Sequence, residues 1–254
     1  MNSIFSIIGI PFKYVLDFFN SFTGSYAVAI LIFTVLVNLL LSPLNVKQQK
    51  TTAKQAKLRP KLEELKKKYG DDRQKMAQAQ QDLYSKENVS PMGGCLPMLI
   101  RMLILLGVYD AIRQVVASGS HVNFNLFGLD LSQTPHFSFN FQQDFSAIWI
   151  IPILSGVASL ISMLISQYQQ KKTNPMMASQ GGSMTMMMYI MPIFSIWIAF
   201  SIQAAVGYYW IISNIVNTLI QVAVNHLYSV NKVIALDAAK EGMKRRKYEA
   251  PRIK

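Results

Sequence analysis

The sequence predicts an all-α, polytopic membrane protein with five transmembrane helices and a cytoplasmic helical hairpin, on three observations. Five apolar runs, at 26–44, 94–117, 147–167, 184–203 and 206–228, each approach the roughly 20 residues that cross a hydrocarbon core about 30 Å thick. Basic residues are segregated: 45–93 hold twelve Lys/Arg, 171–172 hold two and 229–254 hold eight, while 118–146 and 203–207 hold none. The polar stretch between the first two runs carries apolar residues at helical spacing. A chain that is 51% hydrophobic and only 15% charged is also unlike an average soluble domain.

Residues 1–25 begin apolar but lack the basic start and small-residue cleavage site of a signal peptide. Interrupted by Pro11, Lys13 and Asp17, they are expected as an uncleaved amphipathic helix in the outer interface rather than a sixth span. The first span, 26–44, closes at Ser42-Pro43-Leu44. In 45–93, Leu58, Leu62, Leu65 and Tyr69 are spaced 4, 3 and 4, a helical stripe. Tyr69-Gly70-Asp71-Asp72 breaks it, and Met76, Ala79 and Leu83 continue it until Ser90-Pro91, which predicts an antiparallel hairpin. So narrow a stripe buries little, so the hairpin is expected to be mobile, serving as a docking surface or simply solvated.

The second span, 94–117, opens at the single cysteine, Cys95. One cysteine permits no disulfide within a chain, and a small helix-packing role suits it. An outer loop, 118–146, leads to the third span, 147–167, and a cytoplasmic loop, 168–183, to the fourth, 184–203. A tight turn at Gln203–Gly207 joins it to the fifth span, 206–228, and a basic tail, 229–254, ends the chain. Positive charge in short loops stays cytoplasmic, so the N-terminus is predicted outside and the C-terminus inside. The net charge of +12 then belongs to cytoplasmic segments, where nucleic acid or an anionic membrane surface is the natural partner.

Arg101 is the exception inside the apolar run from Cys95 to Tyr109. A central Arg costs about 2.5–3.5 kcal/mol on insertion scales and far more on an isolated helix in simulation, so it faces water or a partner. Asp110, nine residues on or about 13 Å along a helix, is better placed for Arg113. Arg101 therefore either snorkels to inner-leaflet phosphates or receives acidic groups of an arriving chain. Six residues from Cys95, it matches in depth Asn38, six residues from Leu44. Antiparallel helices would bring the two to one level.

Three local motifs carry a resemblance: Ser42-Pro43-Leu44; the run Asn88-Val89-Ser90-Pro91-Met92-Gly93-Gly94-Cys95-Leu96-Pro97-Met98-Leu99-Ile100; and Gly207-Tyr208-Tyr209-Trp210 followed by Asn214. With the order of spans, the chain resembles the YidC family of membrane protein insertases, in the short form without a large extracytoplasmic domain. The resemblance implies a bacterial cell membrane and a hydrated intramembrane groove, open to cytoplasm and lipid, that admits hydrophilic parts of a substrate. It implies nascent membrane proteins as clients, with the ribosome, the targeting machinery and the Sec translocon as candidate partners. The family's characteristic arginine in the first span is here Asn38, and Arg101 supplies a cation from the opposite wall.

Thr34, one turn from Asn38, extends that wall. Ser159, Ser162 and Ser166 form a stripe at spacing 3 and 4, open to groove lining or to helix packing; Ser162 matches a family groove position. Trp210 also matches one, and is equally placed for an interfacial belt. Lys244, Arg245, Arg246 and Lys247 in the tail suit anionic lipid or, as the resemblance implies, ribosomal RNA. Seven of the fourteen methionines lie between Met176 and Met191, an adaptable apolar surface or ordinary packing. Neither a nucleophile–base constellation nor a nucleotide-binding fingerprint is visible, and His121, His136 and His226 are scattered. No catalysis, cofactor or metal is predicted. A solute transporter built from repeated halves finds little support in five unlike spans, and a purely structural translocon subunit would leave Arg101 dispensable.

Overall fold

The computed structural model describes residues 6–70, 72–87, 89, 96–118, 122–136, 146–173, 190 and 193–249. They are mostly helical, as the sequence predicts. Contacts divide the chain into two units: Met1–Ser42 with Met98–Gln169 and Gln180–Ile220, and Pro43–Pro97 with Gln170–Ser179 and Gln221–Lys254.

In the first unit, α1 (Ser6–Thr23) packs on α2 (Tyr26–Leu40). Leu16 and Gly9 are buried, and Phe12 meets Phe33 edge-on at 5.1 Å. The second long helix, α6 (Leu96–Ala117), approaches at two glycines: a Cβ at Gly107 would lie 2.7 Å from Ile8, and one at Gly9 would lie 2.2 Å from Asp110. A short 3-10 turn, Ala147–Trp149, leads into α7 (Ile150–Thr173). Residues 193–199 are helical, and α8 (Ala204–Leu227) follows. The core gathers Tyr26, Ile30, Phe33, Val108, Ile112, Trp149, Val206 and Tyr209.

Outward, the same helices expose apolar side chains: Leu36 and Leu39 on α2, Met102 and Leu103 on α6, Leu160, Ile161 and Leu164 on α7, Ile215 and Leu219 on α8. Contiguous apolar surface on this scale is what lipid covers. The helix over Ala147–Gln169 has the length and apolarity of a span by itself, and α2 with α3 (Ser42–Lys57) has them together, with a bend of 42° at Leu41. With 22 and 24 residues, α6 and α8 have a span's length, but their polar residues, Arg101, Asp110 and Arg113 on one and Asn214, Asn217, Gln221 and Asn225 on the other, dilute the apolar run.

The loop between α6 and α7 contains the one departure from an all-α chain among the described residues. Asn125–Leu126 (β1) pairs antiparallel with Leu129–Asp130 (β2). Phe127 and Gly128 between them have φ of 51° and 87°, the two positive values that a type I′ hairpin turn requires. Phe124 and Leu131 are buried on either side. The amide of Tyr26 donates to Asn123, and those of Ala204 and Ala205 donate to Gln133 and Leu131, each at 2.8 Å. Loop carbonyls thus satisfy amides that the first turns of α2 and α8 leave without helical acceptors.

In the second unit, α3 covers residues that the sequence assigns to the close of the first span and the start of the 45–93 hairpin. Helix α3 starts at Ser42 because Pro43, lacking an N–H, fits a first turn and not a helix interior. The expected hairpin follows as α4 (Arg59–Tyr69) and α5 (Arg73–Lys86), packed on each other. The Asp72 carboxylate caps α5, accepting from the amides of Gln74 and Lys75 at 3.1 Å, and Lys61 pairs with Glu87 across the hairpin. Helix α9 (Val230–Glu249) lays Val230 and Val233 on Ala53 of α3.

Candidate functional site: a polar cluster on four long helices

On α2, the Thr34 hydroxyl donates to the Ile30 carbonyl at 2.6 Å, and Asn38 Nδ2 donates to the Thr34 carbonyl at 2.8 Å. Both side chains are buried. A helix-bonded hydroxyl and amide are how an apolar helix carries polar groups without orphaning them. Asn38 also reaches across to α8, donating to Ser213 Oγ at 3.4 Å. One turn further along α8, Asn217 Oδ1 accepts from the Arg101 guanidinium at 2.5 Å. Ser213 and Asn217 are four residues, or about 6 Å, apart on one helix, so α8 joins Asn38 and Arg101 at neighbouring levels. Tyr209, one turn before Ser213 and hydrogen-bonded to it, adds a phenol within electrostatic range of Arg101.

The adjoining face of α8 is bonded to α7. Ser162 Oγ lies 2.7 Å from Thr218 Oγ1 and 3.4 Å from the Asn214 carbonyl. Asn214 Nδ2 donates to Ser159 Oγ at 3.3 Å and to the Trp210 carbonyl at 2.9 Å. Ser159 and Ser162 therefore bond α7 to α8, as small hydroxyls commonly bond helices inside membranes. Trp210 is half-buried, and its carbonyl is bonded within the same turn.

The structure thus brings Thr34, Asn38, Arg101 and Ser162 onto one helix, α8, or within a turn of a residue that contacts it. Lys244, Arg245, Arg246 and Lys247 fall in α9, and their side chains lie outside the described residues, as do Cys95 and Met176–Met188. Sequence reasoning missed Ser213, Asn217 and Thr218. Their signal was present: Trp210, Ser213/Asn214, Asn217/Thr218, Gln221 and Asn225 recur every three to four residues along α8, a polar stripe on an apolar helix. Among the described residues, no group of three His, Cys, Asp or Glu is placed to hold a metal ion.

Residues 18–232 match the family described as the 60Kd inner membrane protein, a segment running from α1 into α9 and containing the whole cluster. The chain belongs to that family. It is 35% identical over 238 residues to a protein of Shewanella sp. (strain MR-7) named membrane protein insertase YidC, covering 93% of this chain and 38% of that one. A protein of the same name from Shewanella halifaxensis (strain HAW-EB4) is 38% identical over 210 residues, 82% of this chain and 35% of its own. The chain therefore spans little more than a third of the length of these relatives. The family segment stops before Lys244, so the basic end of α9 is not part of what the family match supports.

Proposed function

We propose that this chain is a membrane protein insertase and chaperone of the bacterial cell membrane, acting without bond chemistry. Five spans would place the N-terminus outside and the C-terminus in the cytoplasm, with α1 at the outer interface. The observation that carries the reading is the polar cluster on α2, α6 and α8, within the segment shared with relatives that bear the insertase name. A guanidinium inside an apolar helix costs several kcal/mol; hydrogen bonding to Asn217 offsets part of that and sets its direction. Arg101, Asn38 and Thr34, with Ser162 and Trp210, would line a hydrated groove open to the cytoplasm and lipid.

In this mechanism the α4–α5 hairpin and the basic tail meet the nascent chain, the ribosome, the targeting machinery or anionic lipid. The groove admits a short acidic terminus, for which Arg101 provides Coulomb attraction. Transfer of the client's apolar segment into lipid supplies the main driving force. An outward-moving negative charge gains about 2.3 kcal/mol per 100 mV of membrane potential.

The test is insertion of a single-span protein with an acidic tail by the purified chain in liposomes. Arg101→Ala should lower insertion on the order of tenfold, a loss of about 1.4 kcal/mol, and adding Asn38→Arg should restore most of it. Unchanged activity in Arg101→Ala would remove charge recruitment from the mechanism, and no insertion by wild type would remove the insertase reading.

A further inference from the structure

Helix α3 carries a charge pattern that the polar cluster does not explain. After Pro43, its exposed positions are Lys47, Lys50, Lys54 and Lys57 and no others. At about 100° per residue they fall within an arc of roughly 80°, and at 1.5 Å rise they form a line about 15 Å long. The helix contains no Asp or Glu. A merely solvated helix face usually mixes signs, because like charges one turn apart repel.

The rest of α3 is already engaged. Ala53 is buried on Val230 and Val233, with Ala56 and Ile234 beside it. Gln49 donates to the Tyr228 carbonyl at 3.2 Å, and Lys50 stands 5.8 Å over the Tyr228 ring. The hydroxyls of Thr51 and Thr52 are bonded to the helix's own carbonyls at 3.1 and 3.0 Å. What α3 offers outward is a row of ammonium groups on a fixed support.

We infer that the Lys47–Lys50–Lys54–Lys57 row is a docking surface for anionic phospholipid headgroups. One residue, Leu41, separates α3 from the end of the apolar helix α2, so the row is tethered within a few turns of the bilayer. Lysines beside a span are drawn to an anionic leaflet, and the attraction fades over a Debye length of about 8 Å at physiological salt. Nucleic acid fits less well: α3 has neither an arginine nor an aromatic residue, so it lacks the planar groups that fork phosphates or stack on bases. The helix does not insert, since its buried alanine faces α9. The inference is independent of the insertase reading.

The experiment uses the full chain in nanodiscs of phosphatidylcholine alone and of phosphatidylcholine with roughly one part in three phosphatidylglycerol, with the rate of amine acylation read lysine by lysine by mass spectrometry. Lys47, Lys54 and Lys57 should react about fivefold slower in the anionic discs, the factor that matches the usual attraction per charge, and Lys50, shielded by Tyr228, should change least. High salt should abolish the difference, and Lys75 on α5 should react alike in both discs. Equal rates for the row in the two discs, or equal slowing at Lys75, would overturn the inference. A short RNA that slows the row in phosphatidylcholine discs more than phosphatidylglycerol does would also overturn it, assigning the row to nucleic acid.

Discussion

Asn217 gives Arg101 an acceptor without a charge of its own, and that choice has a measurable consequence. Asn217→Asp keeps the shape and puts a carboxylate against the guanidinium, so an incoming acidic tail would compete with an internal anion. Insertion of an acidic-tailed client should fall roughly tenfold, a difference of about 1.4 kcal/mol, while a neutral-tailed client should be unaffected, as read in the same liposome assay. Asp130 gives a pH test. Burial alone would raise its pKa, but hydrogen bonds from the Ser132 hydroxyl and amide, at 2.7 and 3.0 Å, and from Gln133 hold it below the usual carboxylate range. A depressed folded pKa means that its contribution is present above the unfolded value of about 3.9 and is lost as pH falls through the folded one. Hydrogen-exchange protection of the Ser132 amide should drop below about pH 4 in wild type; in Asp130→Asn it should be low throughout.

Among the elements, α7 and the helical residues 193–199 show how closely two long helices pack through a missing side chain. A Cβ at Gly156 would lie 2.1 Å from Ile196 Cγ1. Gly156→Ala should therefore cost about 1–3 kcal/mol, seen as a lower melting temperature in detergent, and adding Ile196→Ala should recover part of it. The hairpin was legible in the sequence because Leu58 and Leu62 recur at helical spacing around a Gly-Asp turn, and both are buried. Arg101 drew notice in the sequence as the one charge between Cys95 and Tyr109, and the structure sets its guanidinium against Asn217. The β1–β2 hairpin was not, since strands of two residues carry no periodicity and their turn opens with Phe127, a residue with no preference for positive φ. Helix α3 was not distinguished from its neighbours, because residues 45–57 carry no apolar stripe and read as part of the 45–93 hairpin. Ser213, Asn217 and Thr218 were missed because a single Asn or Ser in an apolar run barely changes its hydropathy, and the stripe emerges only once the face of α8 is known.

For the molecule as a whole, the same surface that makes the membrane assignment also explains the sparse polar interior. Outward-facing Leu, Ile and Met on α2, α6, α7 and α8 leave few positions for polar groups, and the buried ones on these helices are bonded to their own helix or to a neighbouring one. The loop between α6 and α7 is the complementary feature: its main chain grips the first turns of both α2 and α8. The polar residues lie well down those helices, with Asn217 thirteen residues, or about 20 Å, from Ala204. Loop carbonyls hold α8 at its first turn, and the bonds of Asn38 to Ser213 and of Arg101 to Asn217 hold it again about three turns on. A tilt of about 8° at the loop would move the Asn217 level by about 3 Å, more than those hydrogen bonds can stretch, so the two fastenings set the helix angle together.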